Sequence, residues 1–288
     1  MKEIKKIYCF GTSFTEGGGF EFEQNSKLYE LYGSLGEEMT KANFSYPGQL
    51  QKLLPNIEVI NLAKSGYGNE AIYRLATDLT LSDNFKKDET LFIFEFSYLG
   101  RKEYYSRSLQ DYIIVNYNYP EISCKRYARN YNQTKEISEY ETSQLPDGNF
   151  FDKFLKSTID TNIQHNLVVR NTTMFLSFLK QYKINYLFSS NPNYINPLNF
   201  DKLIHGNAIK HINNSDLHAD LEIYEGTIRS ETKNIINDNH YGLISNKLIA
   251  SKIYDELVDR QYIIGDILNK SRKDFNHIQY ELNKYSII

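Results

Sequence analysis

The chain has no tryptophan and only two cysteines, Cys9 and Cys124, among its 288 residues. Two thiols are too few for a disulfide framework, and Cys9 lies in an apolar run that reads as an inner strand, so both are expected as buried free thiols. Long apolar runs are missing as well: no segment approaches the roughly 20 apolar residues that a membrane span needs. Met1 to Phe10 puts lysines before only a short apolar stretch, without the long apolar region and small-residue cleavage site of a signal peptide, and an intracellular, cytoplasmic location is the expectation. Neither sign of charge dominates. With 33 Lys and Arg against 36 Asp and Glu the formal charge is −3, which gives no reason to expect nucleic acid or an anionic membrane as the main partner. Internal repeats and low-complexity linkers are also absent. The missing tryptophan stands beside 24 tyrosines and many Asn, Ile and Lys, a bias that reads as nucleotide composition of the source and carries no functional message.

What is present is the composition of a soluble globular protein, 41% hydrophobic and 24% charged, long enough to bury a substantial core. Lys5 to Phe10, Ile57 to Leu62 and Thr90 to Phe96 are short runs rich in Ile, Val and Phe, the pattern of strands buried on both faces. Between the first two, Pro47 suits a first helical turn and Leu50, Leu53 and Leu54 share a face. Between the second and third, Asn69 to Leu81 carries Ile72, Leu75, Ala76 and Leu79 on one stripe. Strand, helix, strand, helix, strand predicts right-handed crossovers onto a parallel sheet. A long helical pattern from Phe150 to Tyr182, with a break expected near Asn171, leads to a strand at Ile184 to Ser189. The last core helix is expected over Gly242 to Val258, on Leu243, Leu248, Ile249, Ile253 and Leu257. Arg101 to Asn149 lacks sustained periodicity and reads as an insertion or lid. Asn191 to Ile236 is loop-rich with one helix expected near Phe200 to Ile212, and Asp266 to Ile288 reads as a polar C-terminal helix. One domain over 1–288 accommodates all of these.

Tyr8-Cys9-Phe10-Gly11-Thr12-Ser13-Phe14 places a small hydroxyl residue at the end of the first strand, where ligands bind in open parallel sheets. Gly11 is expected to let the chain turn sharply, and main-chain N–H groups at such a turn can stabilise an oxyanion. A serine hydroxyl is weakly acidic and needs a base. Asn237-Asp238-Asn239-His240 supplies one, a histidine with a carboxylate two residues before it, in the loop that leads into the last core helix. Either element alone is commonplace; their combination at the two ends of one α/β pattern points to nucleophilic catalysis.

At these residues the chain resembles the SGNH hydrolase superfamily, the GDSL-like lipases and acylhydrolases. The family's opening Gly-Asp-Ser is matched by Gly11-Thr12-Ser13, with Thr12 in place of the acid. Its glycine after the second strand is matched by Gly66 in Asn61-Leu62-Ala63-Lys64-Ser65-Gly66, and its terminal Asp and His by Asp238 and His240. The family's Gly-x-Asn-Asp after the third strand has no counterpart, because Phe96-Ser97-Tyr98-Leu99-Gly100-Arg101 stands there. Ser97, Arg101, or Asn69 from the neighbouring loop are the candidates to replace that Asn as oxyanion donor, and Arg101 is also a candidate substrate contact. The resemblance implies a three-layer α/β/α fold with a central parallel sheet of flavodoxin-like type. It further implies a Ser13–His240–Asp238 triad and an oxyanion hole built on the N–H groups of Ser13 and Gly66. The implied substrate is a small-molecule or carbohydrate ester, such as an O-acetyl group on a sugar, cleaved without metal or organic cofactor. Transfer of the acyl group to a sugar hydroxyl, or a catalytically weak module that binds a glycan or a partner, are the competing readings.

Three further features have a plain reading beside a functional one. Gly17-Gly18-Gly19 follows the nucleophile but is not followed by Gly-Lys-Ser or Gly-Lys-Thr, so it reads as a loop rather than a phosphate cradle. His205, His211 and His218 with Asp216 and Asp220 match no familiar zinc spacing and read as surface polar residues. The cluster Arg101, Tyr104, Tyr105, Arg107, Arg126, Tyr127 and Arg129 could grip a sugar or an anion, against the plainer reading of a solvated insertion with aromatic anchors. Glu95 is unusual in an apolar strand. It is either a strand-end residue near the site or a buried acid paired with Arg101 or Arg74.

Overall fold

A computed structural model describes residues 3–18, 37–97, 101–106, 111–116, 126–130, 133–136, 161–190, 211–213 and 243–263. In chain order these form β1 (Lys6–Phe10), α1 (Ser13–Glu16), α2 (Glu37–Phe44), α3 (Tyr46–Leu53), β2 (Glu58–Asn61), α4 (Asn69–Thr80) and β3 (Thr90–Glu95). They continue with β4 (Arg101–Ser106), β5 (Asp111–Asn116), β6 (Arg126–Asn130), β7 (Gln133–Glu136), α5 (Thr161–Tyr182), β8 (Asn185–Ser190), β9 (His211–Asn213) and α6 (Leu243–Asp259).

The main sheet has the order β2-β1-β3-β8-β9 and all its pairs are parallel. Successive side chains on a strand point to opposite faces, and here both faces are apolar. Phe10, Phe92, Phe94 and Phe96 pack with Ile72, Tyr73 and Ala76 of α4 and Val168, Phe175, Leu176 and Leu179 of α5. Ile7, Cys9, Leu91, Ile93 and Leu187 pack on the other side with Tyr46 and Leu50 of α3 and Ile249, Ala250, Ile253 and Leu257 of α6. The result is the expected α/β/α sandwich, with the flavodoxin-like order that follows from one crossover running to one side of β1 and the next running back past it.

Local expectations and structure differ at four places. α5 runs without a break through Asn171, because Val168, Thr172, Phe175, Leu176 and Leu179 form one buried stripe on either side of it, and packing outweighs the weak helix preference of Asn. The helix expected over 200–212 is contradicted at its end, where His211–Asn213 is strand β9, with Ile212 opposite Ser189; the open edge of β8 offers main-chain groups that a further strand satisfies. The segment expected to be an aperiodic insertion contains a four-stranded antiparallel sheet, β4-β5-β6-β7, for which its Tyr, Ile and Val content is suited. Helix α2 was not foreseen. The helix expected over 266–288 and the start of the helical pattern at 150–160 lie outside the described residues.

The second sheet is tied to the main one through α4. Arg74 donates to both carboxylate oxygens of Glu103 on β4, at 2.9 and 2.8 Å, a fork-to-fork geometry that suits guanidinium and carboxylate. Glu70 accepts the Glu103 N–H at 3.0 Å, and the Arg74 guanidinium lies over the Tyr112 ring, 4.0 Å from its centroid. No described helix is long and apolar enough to cross a membrane.

Phe94 is 1% exposed and touches the rings of Phe10, Phe92 and Phe175. Phe94→Ala is expected to lower the unfolding free energy by about 3–5 kcal/mol, read from the urea midpoint; a loss below about 1 kcal/mol would show that this face of the sheet is not close-packed.

Candidate active site

In a sheet of this order, β1 and β3 are the neighbours from which the chain departs in opposite directions, leaving a crevice beyond their carboxyl ends. Ser13 stands at that crevice. β1 ends at Phe10, Thr12 is extended (φ −105°, ψ −158°), and Ser13 is the first residue of the single-turn helix α1, which closes at Gly17 in the left-handed region (φ 96°). The turn is held by main-chain bonds from Glu16 N–H to Thr12 O at 2.9 Å and from Gly17 and Gly18 N–H to Ser13 O at 3.0 and 2.7 Å. Gly17 thus serves as a helix terminator, in line with the loop reading of the glycine run.

Gly11 is required for a different reason from the one anticipated. Its φ is not positive; instead a Cβ there would lie 2.8 Å from Glu95 Oε2 and in conflict with the Thr15 hydroxyl. It is the close approach of two side chains, rather than a sharp turn, that excludes any larger residue.

The loop 62–68 carries Gly66, whose φ of 85° suits glycine. This loop is wired directly to the Ser13 turn. Leu62 N–H donates to Cys9 O at 2.8 Å and Lys64 N–H to Gly11 O at 3.4 Å. Asn61 Nδ2 donates to Thr15 O at 2.8 Å, while its Oδ1 accepts from Ala63 N–H at 3.1 Å. Glu16 accepts from both the N–H (2.6 Å) and the hydroxyl of Ser65, and pairs with Lys64 at 3.7 Å.

Beyond β3, Asn69 at the start of α4 brackets the Ser97 peptide. Its Oδ1 accepts the Ser97 N–H at 2.7 Å and its Nδ2 donates to Ser97 O at 3.3 Å. Arg101 Nη1 donates to Ser97 Oγ and to Tyr67 O, both at 3.4 Å. The structure therefore gathers Ser13, Gly66, Asn69, Ser97 and Arg101 at the carboxyl edge of β1, β2 and β3. Asp238 and His240 lie outside the described residues, as do His205, His218, Asp216 and Asp220.

The part of the site that sequence reasoning did not assemble lies beneath the Ser13 turn. Glu95 continues the Leu91–Ile93 face of β3, is 4% exposed, and accepts from the hydroxyls of Thr12 (3.4 Å) and Thr15. Thr15 Oγ1 also lies 3.4 Å from the Tyr46 hydroxyl, which stands beside the Cys9 thiol. Burial pushes the Glu95 carboxyl up to about 7, against the opposing pull of the Thr15 and Thr12 hydroxyls and the Arg101 guanidinium. Both anticipated positions of Glu95 hold at once, strand end and buried acid, with Arg101 acting on its charge; Arg74 is committed to Glu103 instead. Burial also raises the Cys9 thiol and the Tyr46 hydroxyl, so both stay neutral near pH 7.

Because the folded protein holds a proton on Glu95 that the unfolded chain releases near 4.5, stability attributable to this residue falls as pH rises from about 4.5 to about 7, and is flat above. At about 1.4 kcal/mol per unit the effect is about 3 kcal/mol. The unfolding free energy of wild type relative to Glu95→Gln is expected to decline by that order across this window in urea titrations. A difference independent of pH would contradict a neutral buried Glu95.

No protein-family model matches the chain, and no curated protein matches it significantly. Solved structures are similar to it at low identity. The psychrotrophic esterase EstA from Pseudoalteromonas sp. is 11% identical with a TM-score of 0.43, over 90% of this chain and 100% of that one. An acetyl xylan esterase, AlAXEase, is 13% identical with a TM-score of 0.41, over 88% of this chain and 99% of that one. AlinE4, an SGNH-hydrolase family esterase, is 14% identical with a TM-score of 0.35, over 99% of this chain and 96% of that one. All three of these structural neighbours are esterases.

Proposed function

We propose that the chain is a serine esterase of the SGNH type, in which Ser13 attacks an ester carbonyl and His240, oriented by Asp238, takes the Ser13 proton. The observation that carries this reading is the position of Ser13, the first residue of a one-turn helix at the β1/β3 crevice, with the Gly66 loop hydrogen-bonded onto the same turn. Asp238 and His240 shortly precede α6 in the chain, the order that the resemblance implies. The tetrahedral adduct collapses as His240 gives the Ser13 proton to the departing alcohol, leaving acyl-Ser13; water then attacks the acyl carbonyl with His240 as base, and the proton returns to Ser13 as the acid departs.

The main-chain N–H groups of Ser13 and Gly66 are the oxyanion donors in this scheme. The third is the Ser97 hydroxyl: its oxygen takes the Arg101 guanidinium as donor, which leaves its own proton to give. The Ser97 N–H is already spent on Asn69 Oδ1, which makes Asn69 the strut of this donor. An O-acetyl group on a carbohydrate is the substrate class we favour, with Arg101 at its edge, and residues 101–149 as an insertion within one domain over 1–288.

Hydrolysis of short-chain p-nitrophenyl esters and labelling by a fluorophosphonate test the reading together. Ser13→Ala is expected to abolish both, and His240→Ala to lower turnover by about four orders of magnitude, the scale of triad lesions. Wild-type protein that neither hydrolyses nor labels would remove the esterase reading and leave that of a binding module. Ser97→Ala is expected to reduce kcat by about a hundredfold with KM nearly unchanged; an effect on KM alone would make Ser97 a binding residue.

A further inference from the structure

A four-residue helix cannot hold its own shape, because one turn fixes several backbone dihedrals for very few hydrogen bonds. The direction of Ser13 must therefore be set from outside α1. Two hydroxyls flank Ser13 in sequence, Thr12 just before it and Thr15 two residues after, and both are buried, at 3% and 0% exposure. Both reach the same carboxyl, that of Glu95 across the β1/β3 crevice. The space for this convergence exists only because residue 11 is glycine. An apolar residue at 95 would extend the Leu91–Ile93 face without burying a carboxyl, so the acid is poorly explained as packing.

We propose that Glu95 is a positioning residue for Ser13: by clamping the Thr12 and Thr15 hydroxyls it aims the Ser13 hydroxyl and the N–H groups of its turn. This rests on the esterase reading above. The ionised carboxyl accepts from both threonines at once. Protonated, it must donate through one oxygen, so one of the two hydroxyls loses its acceptor or reverses, and the clamp loosens. The groups facing Glu95 are the Thr12 and Thr15 hydroxyls from the α1 turn, the Arg101 guanidinium from β4 and the Tyr46 hydroxyl from α3, with the Cys9 thiol of β1 behind Tyr46. Of these only Arg101 is charged near neutrality, and it favours the ionised, clamped form. The root of the second sheet is thereby coupled to the nucleophile.

The test compares wild type with Glu95→Leu, which removes the clamp, and Glu95→Gln, which keeps one acceptor and one donor, by kcat and KM for p-nitrophenyl acetate and the rate of fluorophosphonate labelling across pH. Glu95→Leu is expected to lose about ten- to a hundredfold in kcat and in labelling rate with KM little changed, the signature of a misplaced nucleophile. Glu95→Gln is expected to lose only about threefold, and its acid limb of kcat/KM to fall with one proton where wild type falls with two. Should Glu95→Leu not be recovered folded, Thr15→Val removes the clamp from its other side and is expected to show the same loss. Variants that match wild type in kcat, labelling and acid limb would overturn the proposal while leaving the esterase reading intact. A wild-type protein that neither turns over nor labels would overturn both.

Discussion

β1 is hydrogen-bonded on both edges, to β2 and to β3, and covered on both faces, by α4 and α5 on one side and α3 and α6 on the other. A strand so enclosed is apolar from Ile7 to Phe10, with only Lys6 at its start exposed, and its main-chain groups have no alternative partners once it is in place. The chain can leave only at the carboxyl end. The candidate site follows from that exit: the β1/β3 crevice, the one-turn helix that begins at Ser13, and the loop from β2 that folds back to bond the same turn.

The exit is also where the structure accepts a cost. Along the α3 face of β3 the sequence of packed residues Leu91, Ile93 ends in a carboxyl instead of a third hydrocarbon, and Glu95 is held away from water by residues that are themselves buried. Burial of an ionisable group is unfavourable unless its hydrogen bonds are satisfied. The Thr12 and Thr15 hydroxyls supply them, and Gly11 supplies the room. A polar cluster of this kind, set directly beneath a short turn, converts loose backbone into one orientation.

The second sheet is joined to this region at two levels. The Arg74–Glu103 fork, with Tyr112 beneath the guanidinium, fastens β4 and β5 to α4. Arg101, the first residue of β4, reaches Ser97 and Tyr67 on either side of the crevice and adds positive charge near Glu95. Asn69 and Arg101 thus hold Ser97 between them just past the end of β3.

Four strands of the main sheet, β1, β2, β3 and β8, were legible because strands buried on both faces leave an apolar run that little else produces, as at Leu91 to Phe94, and because α4 and α6 show their buried stripes in helical spacing; β9 was not. The turn after β1 and the loop glycine Gly66 were legible for a related reason, since the end of a buried strand and a glycine with positive φ are local features of the backbone. The strands β4 to β7 were not, because pairing between neighbouring strands depends on partners distant in sequence rather than on a pattern within each. The joining of Thr12, Thr15 and Glu95, separated by 80 residues or more, and the role of Gly11 as space for that contact, were decided only by the tertiary structure. Sequence alone determined that Glu95 was out of place in its strand; only the packing of β1 against β3 determined what it touches, because the cost of burying a charge is met by whichever hydroxyls the fold brings within reach.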